Sequence, residues 1–223
     1  MPDNLVGELG WMIANGELRS GTTFTLAEIS DRFGLSRTVA REAMRVLEAK
    51  GMLEPKRRVG LEVREPDHWA PFDISIIGWR LDGPHRREEL RSLADLRLAA
   101  ARPAARCMAM RGEESDRNLL LAYAQRMCEL AEDYRFKEYY DCEVAFQSLL
   151  FRSCTNRFFA GIADVVGELV RACQAGDEGF VQDPRRMAPK YAELAEVICA
   201  GDSDRAGDLI VELLRELSAV DCH

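Results

Sequence analysis

The chain has 223 residues, enough for one large domain or two small ones, and its composition of 47% hydrophobic and 30% charged residues is ordinary for a soluble globular protein. Its formal net charge is −8, which excludes a protein that coats nucleic acid through overall charge but allows a local basic patch. Residues 1–66 hold ten Lys/Arg and ten Asp/Glu, so the whole negative charge lies in the rest of the chain.

The N-terminal sequence and the cysteines indicate the compartment. The opening residues, MPDNLVGELG, lack the basic and apolar regions of a signal peptide, and no run approaches the ~18 apolar residues of a membrane span. Seven cysteines are scattered without C-x-x-C spacing, which is typical of reduced thiols. We therefore expect a soluble cytoplasmic protein that does not engage a membrane.

Two short helices are predicted at the start of the chain. The first helix spans residues 5–15, and its apolar face consists of Leu5, Leu9, Met12 and Ile13. After a loop, Thr25 is a suitable N-cap for a second helix over residues 26–33, which ends at Gly34.

A third helix is predicted within LSRTVAREAMRVLEAKG, residues 35–51. Ser36 is a suitable N-cap and Gly51 a suitable C-cap for it. Its apolar face repeats at three- and four-residue steps and consists of Ala40, Ala43, Met44 and Leu47.

Another face of this third helix carries Arg37, Arg41 and Arg45, spaced four residues apart. Arginine can bond bidentately to guanine or hold a phosphate, so a short helix of this kind fits the major groove of DNA. The alternative is a solvated face whose arginines pair with Glu42 and Glu48, and the helix alone leaves both open.

Beyond this helix the pattern changes to two short strands, Met52–Leu53 and Leu61–Arg64, joined by a basic turn. Three helices and a basic hairpin are the parts of a winged helix-turn-helix, whose recognition helix enters the groove. Arg57 and Arg58 would reach phosphates or the minor groove, and Gly60 would allow close backbone approach. Because the turn adjoins the arginine face, DNA binding explains it better than solvation alone.

The segment FGLSRTVAREAMRVLEAKGMLEPKRRVGLEV resembles the DNA-binding domain of the GntR family of transcription regulators, with a match over residues 5–65. The resemblance rests on the Ser-Arg-Thr start, the Arg-Glu-Ala core, the Leu-x-x-x-Gly exit and the Arg-x-Gly-x-x-Val wing. It implies that Ser36, Arg37, Thr38 and Arg41 touch DNA and that the wing assists.

The rest of the chain is predicted to be helical from Arg86 onward. We expect a linker over residues 67–85, whose aromatic residues pack against the second domain, between domains at 1–66 and 86–223. About six helices with short connections predict an all-α antiparallel bundle. The expected fold is thus mainly α, with an N-terminal winged helix-turn-helix, a small β wing and this bundle. The helices are separated by breaks near Gly112, Arg135, Thr155–Asn156, Gly176–Pro189 and Gly201–Asp202.

Residues 72–218 resemble the all-helical FCD domain of FadR-like regulators. The matching segments are LADLR at 93–97, EVAFQ at 143–147, CTN at 154–156 and YAEL at 191–194. The linker sequence PFDISIIGWRL is similar to that of members that respond to sugar acids. The resemblance implies a domain that binds a small-molecule effector.

Members of this family commonly hold a divalent metal through an Asp, a His four residues later and two further His. The matching positions here are Glu143, Gln147, Tyr191 and Leu213, of which leucine cannot ligate a metal and amide and phenol groups do so poorly. The resemblance therefore implies a site without metal, and we expect no other cofactor.

Arg97 is the strongest candidate for effector binding, because the family uses an arginine there and a guanidinium suits a carboxylate. Its alternative role is an internal salt bridge, for example to Glu143. Gln147 and Tyr191 could hydrogen-bond a polar effector, although Tyr191 could equally fill the core. We expect Arg97, Glu143, Gln147 and Tyr191 to form the effector site.

These features predict a ligand-responsive transcription factor, a repressor of a catabolic operon that binds a palindromic operator as a homodimer. The expected effector is a small carboxylate or a sugar acid. The alternatives are a DNA-binding dimer without effector and a helical metal-dependent enzyme. The enzyme is disfavoured because the chain shows no catalytic triad pattern and no Gly-rich phosphate loop.

Overall fold

The computed structural model describes residues 2–174 and 183–218 of the chain. It divides the chain into two compact units, residues 1–89 and 90–223. Among the described residues, no helix is long and apolar enough to cross a membrane.

The described residues of the first unit form four α-helices, a short 3-10 helix at Pro66–His68 and a small antiparallel sheet. The strand order in the sheet is β1-β3-β2, with Phe24 opposite Leu61 and Leu53 opposite Val63. In chain order the elements are α1 (Pro2–Ala14), β1 (Thr23–Phe24), α2 (Leu26–Phe33), α3 (Arg37–Ala49), β2 (Leu53–Lys56), β3 (Gly60–Val63) and α4 (Ile74–Leu81).

Local sequence signals set the ends of α2 and α3, as predicted. Thr25 and Glu28 form a reciprocal capping box at the start of α2, and Gly34 ends that helix at φ 62°. The Ser36 side chain accepts a hydrogen bond from the Val39 N–H at the start of α3. At the other end of α3, the Gly51 N–H donates a hydrogen bond to the Glu48 carbonyl. Gly51 has a φ of 77°, a left-handed conformation that ends the helix.

The apolar face of α3 is the centre of the first core, which confirms the predicted periodicity. Its buried side chains combine two alanines with a methionine and a leucine. Leu5, Leu9 and Ile13 of α1 belong to the same core. The buried residues of α3 are Ala40, Ala43, Met44 and Leu47.

The structure corrects the expected role of the linker. Residues 74–81 form α4, and Trp69 lies in the core of the first unit, where it is 8% exposed. Trp79 packs against the same core, and the Trp79 carbonyl accepts a hydrogen bond from Asn15 Nδ2 at 2.9 Å. The prediction that these aromatic residues pack against the second domain is therefore wrong: they stabilise the first unit.

The second unit is helical. In chain order it contains the remainder of α5 (Arg86–Arg111), then α6 (Glu114–Glu132), α7 (Phe136–Arg152), α8 (Arg157–Gly161), α9 (Ala163–Gln174), α10 (Pro184–Cys199) and α11 (Ser203–Ser218). Its apolar core draws on α5, α6, α7, α9, α10 and α11. The short helix α8 brings the number of described helices from Arg86 onward to seven, one more than expected.

The predicted helix breaks near Gly112, Arg135, Thr155–Asn156 and Gly201–Asp202 are confirmed. The break expected from Gly176 to Pro189 falls partly on residues 175–182, which lie outside the described part. Its end was wrong, because α10 begins at Pro184 and continues through Pro189. Burial of Met187 and Tyr191 in the core outweighs the backbone hydrogen bond that a proline cannot donate.

The contact between α1 and Trp79 provides a test of the first core. A Cβ added at Gly10 would lie 2.2 Å from the Trp79 indole, whereas a Cβ at Gly7 on the same helix would meet nothing within 4 Å. We expect Gly10→Ala to lower the free energy of unfolding by about 1–3 kcal/mol through overpacking. The matched change Gly7→Ala should raise it by about 0.5–1 kcal/mol, because alanine favours helix.

Urea unfolding followed by tryptophan fluorescence measures both variants. Equal stability of the two variants would contradict the packing of Trp79 on α1.

Candidate functional site

The start of α3 and the wing together form an exposed basic surface. Ser36, Arg37, Thr38, Arg41 and Arg45 are all exposed on α3 or at its N-terminus. The surface is available because the opposite face of the helix is buried in the core.

Most arginines of this surface have no protein partner. Arg45 Nη1 lies 2.9 Å from Glu42 Oε1, an exposed pair that fits the solvated-face alternative for this residue alone. Within the part of the chain that the structure describes, Arg37, Arg41, Arg57 and Arg58 form no ion pair and no side-chain hydrogen bond. Their guanidinium groups are free to bind an anion.

The wing adopts a tight turn between β2 and β3. Arg57 and Arg58 are exposed at its tip, and Arg58 has a φ of 66°, which is uncommon for a residue with a side chain. Gly60, at φ 122°, follows the tip, and a Cβ there would lie 2.5 Å from the Phe24 carbonyl oxygen. The glycine is thus required by the close approach of β1, a two-residue strand that the sequence pattern did not reveal.

A groove of about 320 Å³ lies between α3 and the base of the wing. Arg41 and Arg45 of α3 line this groove together with Gly60 and Leu61 of β3. The structure therefore joins Arg41 and Arg45 of α3 and Gly60 of the wing in one groove, whereas Arg37 at the start of α3 and Arg57 and Arg58 at the tip of the wing are not part of its lining.

A second cluster of polar side chains is buried in the helical unit. It brings together the four residues that the sequence suggested, with Arg97 on α5, Glu143 and Gln147 on α7, and Tyr191 on α10. Tyr191 Oη donates to Glu143 Oε1 at 2.7 Å and accepts from Gln147 Nε2 at 3.1 Å. The chain of hydrogen bonds leaves Gln147 Oε1 buried without a partner.

Arg97 is 6% exposed, and its Nε is buried without a hydrogen-bond partner. The alternative of a salt bridge to Glu143 is not formed: among residues 2–174 and 183–218, Arg97 makes no ion pair. Its charge nevertheless acts on both Glu143 and Tyr191. A buried polar atom left unsatisfied costs about 1–3 kcal/mol, and more when the group is charged.

Burial controls the protonation of this cluster. It raises the pKa of Glu143, and the Tyr191 hydrogen bond and the Arg97 charge offset this only in part. Burial and the Glu143 carboxyl also raise the pKa of Tyr191 well above its ordinary value. The raised pKa of Glu143 means that its carboxyl group binds a proton more readily than an exposed glutamate does.

Tyr139 extends the cluster and was missed by sequence analysis. It lies on α7 one turn before Glu143 and is 2% exposed. Burial and the Glu143 carboxyl raise the pKa of Tyr139. The spacing of four residues from Glu143 was the signal that could have identified it.

The donor set does not fit the divalent metal that FCD domains commonly hold. Tyr191 Oη donates a hydrogen bond to Glu143 Oε1. Leu213, which stands at the fourth of the family's ligand positions, is a core residue that is 2% exposed. Within the described residues, no group of three His, Cys, Asp or Glu side chains could hold a metal ion.

Comparison with known sequences identifies both parts of the chain. Residues 3–63 match the family "Bacterial regulatory proteins, gntR family", and residues 92–216 match the FCD domain. The chain is 25% identical over 162 residues to the uncharacterized HTH-type transcriptional regulator YieP of Escherichia coli K12, covering 72% of this chain and 70% of that protein. It is 24% identical over 171 residues to the galactonate operon transcriptional repressor of the same organism, covering 76% and 74%.

Solved structures share the fold. The regulator Lar, described as controlling the agr system of Listeria monocytogenes, has a TM-score of 0.62 at 18% identity, with 98% of this chain and 95% of that chain covered. A GntR protein of Streptococcus agalactiae has a TM-score of 0.55 at 17% identity, with coverage of 98% and 99%. Since the FCD match alone spans more than half of the sequence, the chain belongs to the GntR family of bacterial transcriptional regulators, with a C-terminal FCD domain.

Proposed function

We propose that this regulator is a repressor that binds a palindromic operator as a homodimer and responds to a small carboxylate or sugar acid bound in its FCD domain. Both family matches and both curated relatives are transcriptional regulators, so the chain is a DNA-binding regulator and not an enzyme. The observation that carries the proposed response is the buried guanidinium of Arg97, whose Nε lacks a partner.

DNA recognition is assigned to α3 and the wing. With Ser36 and Thr38 at its start, α3 would enter the major groove and direct Arg37 and Arg41 at base edges or phosphates. Arg57 and Arg58 would hold the phosphate backbone or the minor groove. Two copies related by a two-fold axis would read half-sites separated by one turn of DNA, about 10 bp, or a multiple of it.

The effector is assigned to the cluster around Arg97. A carboxylate can accept two hydrogen bonds from a guanidinium and would satisfy the buried Nε of Arg97, which lacks a partner in the protein. Gln147 Oε1, also without a partner, could accept a hydrogen bond from a hydroxyl group of the same ligand. A hydroxylated carboxylate supplies both groups. The galactonate operon repressor among the relatives supports a sugar acid.

The response would arise because the cluster joins three helices. Arg97 belongs to α5, Glu143 and Gln147 to α7, and Tyr191 to α10, so a ligand that binds Arg97 can change the distances between these helices. Such a ligand favours whichever helix arrangement it binds more tightly, and DNA affinity changes if that arrangement differs from the DNA-bound one.

The other candidate is a DNA-binding dimer in which the helical unit takes no effector. The hydrogen bond from Tyr191 to Glu143 favours this candidate, because the two side chains are already hydrogen-bonded to each other without a ligand. A thermal-shift screen with sugar acids, galactonate included, separates the two functions, since a ligand that binds the folded protein raises its melting temperature.

The DNA surface predicts two kinds of variant. We expect Arg37→Ala and Arg41→Ala each to weaken operator binding by about 1–3 kcal/mol, as when a bidentate base contact is lost. Arg57→Ala and Arg58→Ala should weaken binding to all sequences alike and reduce its salt dependence, as when a phosphate contact is lost. Gel shifts against operator and random DNA at several salt concentrations measure both effects.

The control for these variants is Arg126→Ala, which removes an exposed arginine of α6 that pairs with Glu129. It should leave operator affinity unchanged. If Arg37→Ala also leaves it unchanged, α3 is not the recognition helix.

The buried cluster predicts that Arg97→Ala abolishes the response to the effector while operator binding remains, because the ligand loses its cation. Arg97→Lys should retain only a weakened response, since an ammonium group cannot form the two-pronged contact. Arg102→Ala is the matched control, because Arg102 lies on the same helix but is exposed and paired with Asp208 at 2.7 Å. Titration of the operator complex with the effector measures all three.

Release of DNA by Arg97→Ala at the same effector concentration as the unaltered protein would show that Arg97 is only structural.

The donor set predicts that the purified protein holds no stoichiometric zinc, nickel or manganese. Of the four residues at the family's metal-ligand positions, only Glu143 offers a strong ligand, and its carboxyl group accepts a hydrogen bond from Tyr191. Elemental analysis after dialysis tests this. One tightly held transition metal per chain that disappears in Glu143→Ala would contradict it.

A further inference from the structure

Two cysteines meet where the end of α7 passes α5 in the helical unit. Cys107 lies on α5 and is partly exposed, and Cys154 follows α7 and is 5% exposed. Cys107 Sγ lies 3.2 Å from the hydroxyl oxygen of Thr155, the residue that directly follows Cys154, so the two thiols lie close together. Both thiols are free.

The surroundings stabilise a thiolate at Cys107. The Thr155 hydroxyl group and Cys154 are hydrogen-bonding groups beside the Cys107 sulfur, and Arg111, one helical turn further along α5, adds a positive charge. Burial alone would raise the pKa of Cys107, but these hydrogen bonds and this charge outweigh it and lower that pKa. The thiolate is the form of cysteine that attacks peroxides.

Cys154 has the opposite character. Burial raises the pKa of Cys154 to about 11, which favours its protonated thiol form. A reactive cysteine beside a second cysteine is the arrangement that redox-sensing pairs use. The other cysteines for which a shift is resolved, Cys128, Cys142 and Cys199, have their pKa raised by burial and do not share this environment.

We propose that Cys107 and Cys154 are a peroxide-reactive pair that oxidation joins into a disulfide between α5 and the end of α7. The Cys107 thiolate attacks one oxygen of hydrogen peroxide, the O–O bond breaks, and hydroxide leaves and takes up a proton to become water. The resulting sulfenic acid is attacked by Cys154, the S–O bond breaks, and a second water leaves with the Cys154 proton. Both sulfurs are oxidised and one peroxide is reduced.

The position of this pair relates it to the buried cluster. Arg97 is on α5, ten residues before Cys107, and Gln147 is on α7, seven residues before Cys154. The disulfide would connect the two helices that carry these groups and restrict their relative movement. The modification itself depends on neither operator nor effector.

The experiment treats the reduced full-length protein with one equivalent of hydrogen peroxide, alkylates the remaining thiols and maps the products by peptide mass spectrometry. The expected product is a Cys107–Cys154 disulfide within one chain. In Cys154→Ser, Cys107 should persist as a sulfenic acid that dimedone traps. In Cys107→Ser, neither product should form, and Cys128→Ser should behave as the unaltered protein does.

Oxidation of Cys128, Cys142 or Cys199 at the same rate as Cys107 would overturn the proposal. So would a sulfenic acid at Cys107 that persists in the unaltered protein without conversion to the disulfide. Circular dichroism of each variant confirms that it is folded, so that a missing product reports on chemistry.

Discussion

The burial of the Arg97 guanidinium group beside Glu143 and Tyr191, inside an otherwise apolar helical core, is the constraint on which the second unit depends. The flanking part of α5 is rich in buried alanine, including Ala100, Ala101 and Ala104, which provide no polar group to Arg97. Desolvation of an unpaired charge is costly, so such a residue is retained where something else compensates it. The anionic ligand proposed above would supply that compensation.

The first unit meets a different constraint, which is to hold α3 rigidly while one face stays exposed. Lys50, at the C-terminal end of α3, lies 2.6 Å from Asp73, and Asp73 also caps α4. Burial raises the pKa of Asp73, but hydrogen bonds and the charge of Lys50 outweigh it and lower that pKa. The ammonium group also lies 5.9 Å from the centre of the Trp79 ring. These contacts fix the end of α3 to α4 and, through Trp79, to α1.

The two proposed sites use arginine under opposite conditions. Arg37 and Arg41 are exposed to water, and the contribution to DNA affinity proposed for them would fall as salt rises. Arg97 is shielded, so salt screens its interactions little and the shape of the ligand matters more. The exposed surface suits rapid association with a long polyanion, and the buried cluster suits selection of one small anion.

The sequence by itself determined the elements that short-range chemistry controls. The caps at Thr25 and Ser36 and the spacing of apolar residues predicted α2 and α3 closely, because caps and helical period act over a few residues. Only the tertiary structure decided that β1 pairs with β3, that the linker forms α4 on the first core, and that α10 continues through Pro189, because each depends on partners distant in sequence. Likewise, four residues could be selected for the effector cluster, but only packing decided that Arg97 lacks an ion pair and that Cys107 meets Cys154.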